Sequence, residues 1–355
     1  MTKEINMAST RDIQRRIKSV KNTKKITKAM ELVSASKMRK AVEAVLATRS
    51  YANLSWLTVL NLAEVAKHDR NLHKLLNPSY VKVSEGKSTK VGVILITSNK
   101  GLCGGFNTSI VNKVVKSIKQ TFPPALPTGQ AGPLLSKEGV AKGSVEHEFV
   151  LLGKKGAQVN YKFGYNLAAE FDKPDVITEV EEVIPVAKML IKDYLNGKYD
   201  KVMLAYTDFV SAAKQVPRVK QLLPVNLDER DEFLGQTSPP SFVKTTEDKP
   251  DPLLSKDGGA KEEKFVNSEY IFEPSAKQVL DEMIPRLIEI QMFQAMLESN
   301  ASEHSARMMA MRNATDAAGD MIDELTLTYN KARQASITAE IAEIAGGAVA
   351  LRPHP

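Results

Sequence analysis

LDEMIPRLIEIQMFQAMLESNASEHSARMMAMRNATDAAGDMIDELTLTYNKA, residues 280–332, decides the architecture of this chain. Apolar and small residues recur in alternating steps of three and four. They begin Leu280, Met283, Leu287, Ile290, Gln294 and Leu297. They continue Ala301, His304, Met308, Met311, Thr315, Ala318, Ile322, Leu325, Tyr329 and Ala332. This is the seam of a helix that packs lengthwise on another helix, because a single helix cannot bury such a stripe alone.

The expected partner is the N-terminal stretch. Residues 9–60 read as one helix, and no Pro or Gly interrupts the chain between Met1 and Asn77. Ser9 or Thr10 suits the N-cap, and Asp12 suits the first turn. Ile13, Ile17, Val20, Ile26, Met30 and Val33 form the expected apolar stripe. Ala29, Ala35, Ala41 and Ala44 keep the helix slim. The two ends are therefore expected to wind into an antiparallel coiled coil: residues 1–70 as one arm and 271–355 as the other. The C-terminal helix is expected to begin near Pro274-Ser275. Pro285 should kink it or mark its true start, and Gly346-Gly347 should fray or end it.

Between the arms, residues 71–270 read as an α/β domain. Val91, Val93, Ile94, Leu95 and Ile96 form a β-branched run of the kind found in buried parallel strands. A glycine-rich turn (Gly101, Gly104, Gly105) and a helical pattern over Thr108–Lys119 follow. Further strands are expected at Phe149–Leu152, Lys201–Tyr206 and Gln215–Leu223, with a helix at Pro185–Leu195. The alternation predicts an open, Rossmann-like α/β sheet. Two stretches, 121–144 and 237–263, break the pattern. Each holds a Pro-Pro pair followed by one decapeptide, P-L-L-S-K-[ED]-G-x-A-K, at 133–142 and 252–261. Their Pro/Gly/Ser/Lys-rich text cannot build a core. They read as two insertions of one sequence element in surface loops, with a paired docking motif as the other reading.

Composition narrows the function. The 355 residues are 43% hydrophobic but only 6% aromatic, which suits long helices better than a β-sandwich. No apolar run approaches the roughly 20 residues needed to span a bilayer, and no apolar leader is read at the N-terminus. A single cysteine, Cys103, excludes an internal disulfide framework and fits a reducing cytoplasm. Net charge is +7, unevenly placed: residues 1–50 hold 13 Lys/Arg against 4 Asp/Glu, so the remaining 305 residues sum to −2. A basic helix of this kind suits nucleic acid, anionic lipid or an acidic protein, or is simply a solvated face.

No catalytic constellation is visible. Ser98-Asn-Lys-Gly-Leu-Cys-Gly-Gly-Phe106 stands between strand and helix, where phosphate loops stand. Its spacing fits neither nucleotide fingerprint, and Lys100 precedes the glycines. A tight structural turn is the better reading. Cys103 has no neighbouring His in sequence and reads as a small buried residue. The five histidines are scattered, and His304 reads as a polar position in the seam. Glu179, Glu181 and Glu182 read as a solvated loop or a helix start. The far end, Ala335–Leu351, is Ala/Ile/Gly-rich and carries only Glu340 and Glu343 as charges. A helix tip this apolar is expected to be surrounded by something.

Three segments carry a resemblance. IKSVKNTKKITKAMELVSASKMRK (17–40), TSNKGLCGGFN (97–107) and the stretch from Glu298 to Leu351 resemble the γ subunit of the F-type ATP synthase, of the bacterial kind without the chloroplast regulatory dithiol. The resemblance implies an antiparallel coiled-coil shaft inside a hexamer of α and β subunits. The globular domain would stand on the membrane ring of c subunits beside the ε subunit. It implies a rotor with no active site and no cofactor of its own, held at the cytoplasmic face of the bacterial plasma membrane through the complex. It also implies that Arg333, Gln334 and Thr338 engage a loop of the β subunit near the top of the shaft. Met30 and Lys37 would lie near that subunit's acidic lever loop. The alternatives are an α/β enzyme with helical dimerisation arms, which requires a nucleotide fingerprint or catalytic cluster, and a basic coiled-coil nucleic-acid binder.

Overall fold

The structure is a computed structural model that describes residues 10–65, 75–76, 89–121, 145–177, 179–225, 273 and 276–350. Among the described residues, two long helices, α1 (Thr10–Val65) and α5 (Ala276–Ala350), flank five strands, three shorter α-helices and two short 3-10 turns. The chain divides into two compact units: Met1–Ser36 with Arg307–Pro355, and Lys37–Ala306. Both decapeptide copies lie outside the described residues.

In the first, helical unit, α1 and α5 run antiparallel. The Thr27 and Thr315 hydroxyls lie 2.8 Å apart, and a Cβ on Gly319 would meet Lys24 Nζ at 2.8 Å. On α5, Met311, Thr315 and Ala318 are buried, and Met308, Ile322, Leu325, Tyr329 and Ala332 are half-buried, so the seam read from the sequence is the packed one. On α1 the seam departs from expectation. Ile13, Thr27 and Ser34 are buried, with Ile17, Val20, Lys24 and Glu31 half-buried between them, while Ile26 is 60% exposed and Val33 56%. Stepping from Ile13 by fours and threes reaches 27 and 34. Ile26 and Val33 fall one residue earlier, about 100° round the helix. Small and polar side chains thus fill the middle of the seam, and the apolar stripe Ile26–Met30–Val33 faces outward.

The second unit contains the sheet. β1 (Thr89–Ile96), β2 (Val145–Leu152), β3 (Asn166–Phe171) and β4 (Lys201–Phe209) are parallel and β5 (Gln215–Leu223) is antiparallel, in the order β3-β2-β1-β4-β5. Alternation along β1 separates two cores. Val91, Val93 and Leu95 face Ile110, Val111, Val114 and Val115 of α2 (Phe106–Thr121). Ile94 and Ile96 face Ala187, Leu190 and Ile191 of α4 (Ile184–Leu195), together with Leu287, Ile288 and Met292 of α5. Burying both faces of parallel strands explains their continuous apolar text. On α1, Met38, Ala41, Val45 and Ala52 are buried, and Thr48 Oγ1 donates to Gln294 Oε1 of α5 at 3.0 Å.

Other departures have local causes. α3 (Gln158–Phe163) and β3 have no counterpart among the expected elements. β3 is a sheet edge whose residues alternate exposed and half-buried, and its text NLAAEF has no β-branched residue. Pro285 sits inside α5 and neither starts nor ends it. Its missing hydrogen bond and ring clash cost about 3 kcal/mol. Burial of Leu280, Ile284, Leu287 and Ile288 around it, at about 1.5–3 kcal/mol each, outweighs that. Gly346-Gly347 likewise does not end the helix, which runs to Ala350. Two glycines cost about 2 kcal/mol, and the alanines at 345, 348 and 350 favour continuation. Thr121, expected to open the first insertion, is instead the last residue of α2.

Candidate functional surfaces

In α/β sheets of this order, ligands enter where neighbouring connections leave in opposite directions, outside the carboxyl ends of the strands. Here that place lies beyond β1 and β4, and the chain fills it with its own atoms. The turn after β1 closes on itself: Asn107 Oδ1 accepts from Ser98 N at 3.0 Å, and its Nδ2 donates to Ser98 Oγ at 2.7 Å and Cys103 Sγ at 3.2 Å. Ser98 and Cys103 are buried, and Leu102 takes φ +64°. The turn is a knot of internal hydrogen bonds rather than a row of amides aimed outward, as its glycine spacing implied. Over the end of β4 lies α5, with Ser302 Oγ donating to Thr207 O at 3.1 Å. Burial there pushes the Tyr206 hydroxyl well above its ordinary pKa. Among the described residues no three His, Cys, Asp or Glu side chains are grouped to hold a metal.

The buried polar residues of this region were the part sequence reading missed. The seam drew attention to Ala301 and His304 alone. Yet Glu298, Ser299, Asn300, Ser302, Glu303, His304 and Ser305 are all buried in one stretch. Lys173, also buried, is ion-paired with Glu303. His304, expected in the seam, is buried with Nε2 2.7 Å from Asp175 O. A run of seven polar residues in eight positions, inside an otherwise apolar helix, was the available signal.

Lys37, marked by resemblance as a partner contact, is engaged within the chain. Its Nζ donates to Asp175 Oδ2 at 2.8 Å, with Lys100 Nζ 3.8 Å from the same oxygen. The hydrogen bond from Lys37 holds the Asp175 carboxyl below the usual carboxylate range, against the opposing effect of partial burial. A carboxylate with a lowered folded-state pKa contributes stability above its unfolded value, and that contribution is lost as pH falls through the folded one. Asp175→Asn is therefore expected to lower stability by less than about 1 kcal/mol at neutral pH, since the pair is partly exposed. The gap should close as pH falls from about 6 toward 3. Urea titrations of both proteins across this range check it; a gap that widened on acidification would contradict it.

The other marked residues lie in the helical unit. Met30 is half-buried between exposed Ile26 and Val33 on α1. Arg333, Gln334 and Thr338 are exposed on α5, and Thr338 Oγ1 donates to Gln334 O at 2.9 Å. From Arg333 to Gly346 every residue is exposed. Ile337, Ile341 (61%) and Ile344 (74%) line one face at steps of four and three. The basic and amide groups therefore sit at the foot of a bare apolar stripe. No helix among the described residues is long and apolar enough to cross a membrane.

Comparison with known proteins agrees with this arrangement. A family model described as ATP synthase matches residues 9–351. The chain is similar to the ATP synthase gamma chain of Herpetosiphon aurantiacus, at 40% identity over 97% of this chain and 99% of that one. It is similar to that of Pelotomaculum thermopropionicum at 39% (97% and 100%), and to that of Legionella pneumophila at 34% (97% and 100%). Among solved structures, a chain of the Euglena gracilis mitochondrial ATP synthase in rotational state 3 shares the fold, with TM-score 0.55, 18% identity and coverage of 97% and 94%. The rotor of the same enzyme in rotational state 1 gives TM-score 0.51, 16% identity and coverage of 93% and 99%. With the family matched along nearly its whole length, the chain belongs to the ATP synthase gamma chains.

Proposed function

We propose that this chain is the central-stalk rotor of a proton-translocating ATP synthase, a non-catalytic subunit of that enzyme. It stands inside a hexamer of α and β subunits and rests with ε on the ring of c subunits. It is held peripherally at the cytoplasmic face of a bacterial inner membrane. The observation that carries the reading is the bare tip of α5, where Ile337, Ile341 and Ile344 stand exposed on a continuous helix. An apolar helix end of this kind needs a surrounding wall. A wall that meets it through non-directional contacts leaves it free to turn. The basic face of residues 10–40 suits acidic loops on the inside of the hexamer, met through screened charge contacts. A ligand crevice filled by α5 fits a part that moves rather than one that catalyses.

Co-expression with α and β subunits tests the reading. The expected product is one copy of this chain per hexamer, and the chain alone turns over no ATP. Separate purification of the chain and hexamer, or hydrolysis by the chain alone, would overturn it.

Within this reading, Met30, Arg333, Gln334 and Thr338 are contact residues for the β subunit. Lys37 joins them by sharing or exchanging Asp175 for a partner carboxylate. Arg333→Ala removes an exposed side chain, so the fold should stand. A lost charged hydrogen bond, worth about 1.5–3 kcal/mol, should lower proton-driven ATP synthesis on the order of tenfold. Synthesis in reconstituted vesicles measures it, and an unchanged rate argues against the contact.

A further inference from the structure

The two turns of α5 from Glu298 to Ser305 are buried on every side, although seven of the eight residues are polar. Four consecutive side chains there each find a partner. Ser302 Oγ donates to Thr207 O of β4 at 3.1 Å. The Glu303 carboxylate pairs with Lys173 Nζ in the connection after β3. His304 Nε2 lies 2.7 Å from Asp175 O in the same connection. Ser305 Oγ donates to Ala212 O, between β4 and β5, at 2.7 Å and accepts from Gln215 Nε2 of β5 at 3.3 Å. Successive helical residues point about 100° apart, so these four grips span about 300° of the circumference. Together they form a collar.

Below the collar, α5 packs through Leu287, Ile288, Met292 and Phe293, whose burial is non-directional. Such packing resists separation, but rotation about the helix axis replaces one apolar contact with another. Hydrogen bonds and ion pairs are directional, and turning α5 by one residue would break all four grips together. The collar's charged member is itself tied to the sheet. Asn99 Nδ2, in the turn after β1, donates to Lys173 O at 2.6 Å, and Lys173 Nζ lies 5.9 Å from the centre of the Phe106 ring.

We infer that this collar passes torque between the five-stranded sheet and helix α5, with Lys173 and Glu303 as positioning residues that pin it; the inference rests on the rotor reading above. It implies a stiffness that a merely stable packing would not supply.

Angular fluctuation in the assembled hexamer complex tests it. The hexamer is fixed to a surface. A bead is attached beside the sheet through Tyr161→Cys on α3, a position 86% exposed, while Cys103 is buried. The variants are Lys173→Met with Glu303→Leu, which replaces the pair by apolar side chains, and Ser305→Ala. Bead angular variance during catalytic pauses should rise roughly twofold in the double variant and less in Ser305→Ala, because directional contacts are removed while packing is kept. Unloaded ATP hydrolysis should stay at the unsubstituted rate. Unchanged variance in an assembled, hydrolysing double variant overturns the collar's role. If that variant does not assemble, unchanged variance in Ser305→Ala does the same. An unsubstituted chain that fails to assemble or to turn the bead refutes the rotor reading itself, and the collar with it.

Discussion

Gly153→Ala is expected to destabilise the chain by about 4 kcal/mol or more, since of the described glycines it is the one where an added Cβ meets the closest atom. Gly153 follows β2 with φ +108° and ψ 134°, a region that is essentially glycine's alone. A Cβ there would stand 2.3 Å from Thr97 O and 2.8 Å from Thr97 C, which are backbone atoms at the end of β1. Relief by a side-chain rotation is therefore closed, and the strand end has to move. Thr97 Oγ1 donates to Gly153 O at 2.8 Å, Thr97 N to Leu152 O at 2.8 Å, and Gly153 N to Phe171 O at 2.9 Å. A shift loosens all three, at about 0.5–1.5 kcal/mol each, on top of about 1–3 kcal/mol of backbone strain. Gly164→Ala is the control. Its φ is +72°, but nothing lies within 4 Å of the added carbon, so about 1 kcal/mol is expected. Urea unfolding of the full chain separates the two. Equal losses would mean that the crowding at Thr97 carries no energy.

Parts of this molecule were legible from sequence because one physical demand dominated them. The α5 seam is the clearest: from Leu280 to Ala332 every predicted position is buried or half-buried, because only a 3–4 period keeps one face of a helix on its neighbour. The strands at Val91–Ile96 and Lys201–Tyr206 were legible because parallel strands covered on both faces demand unbroken apolar text. α1 was misread where hydrophobicity and position disagree. Ile26 and Val33 are the more apolar residues, but Thr27 and Ser34 occupy the seam, and apolarity alone does not say which face is covered by the chain itself. The outward stripe makes sense once a second protein is expected to meet it. The collar was illegible for a related reason. A buried polar residue looks like an exposed one until its partner is known, and Lys173 is 130 positions from Glu303. The marked contact residues divide similarly: Arg333, Gln334 and Thr338 stand open, whereas nothing in the sequence joins Lys37 to Asp175.

Lys173→Met is expected to lower stability by about 3–5 kcal/mol, whereas Lys173→Met combined with Glu303→Leu should fall within about 1 kcal/mol of the unsubstituted chain. The asymmetry follows from solvation. Both side chains of the pair are withdrawn from water, at 2% and 5% exposure. Their attraction mainly repays the desolvation of each. Removing the ammonium alone leaves a carboxylate in a dry site opposite Met, without the ammonium that balanced its charge. Removing both takes the two opposite charges out of the dry site together, so neither is left there without the other. The single variant should also acquire a pH dependence of definite sign. A buried carboxylate that has lost its ammonium partner holds its proton more readily when folded than unfolded, so the deficit shrinks as pH falls from about 8 to 5. The double variant holds no such group and should show no comparable recovery. Urea unfolding of the three proteins at both pH values reads all of this. A double variant as unstable as the single one would mean that Lys173 and Glu303 serve other partners. A single variant within about 1 kcal/mol of the unsubstituted chain would mean that water or another group of the chain stabilises the carboxylate. The predicted pattern, loss on breaking the pair and recovery on erasing it, would leave the pair with little net stabilising effect. Its presence would then be explained by the direction it imposes on α5.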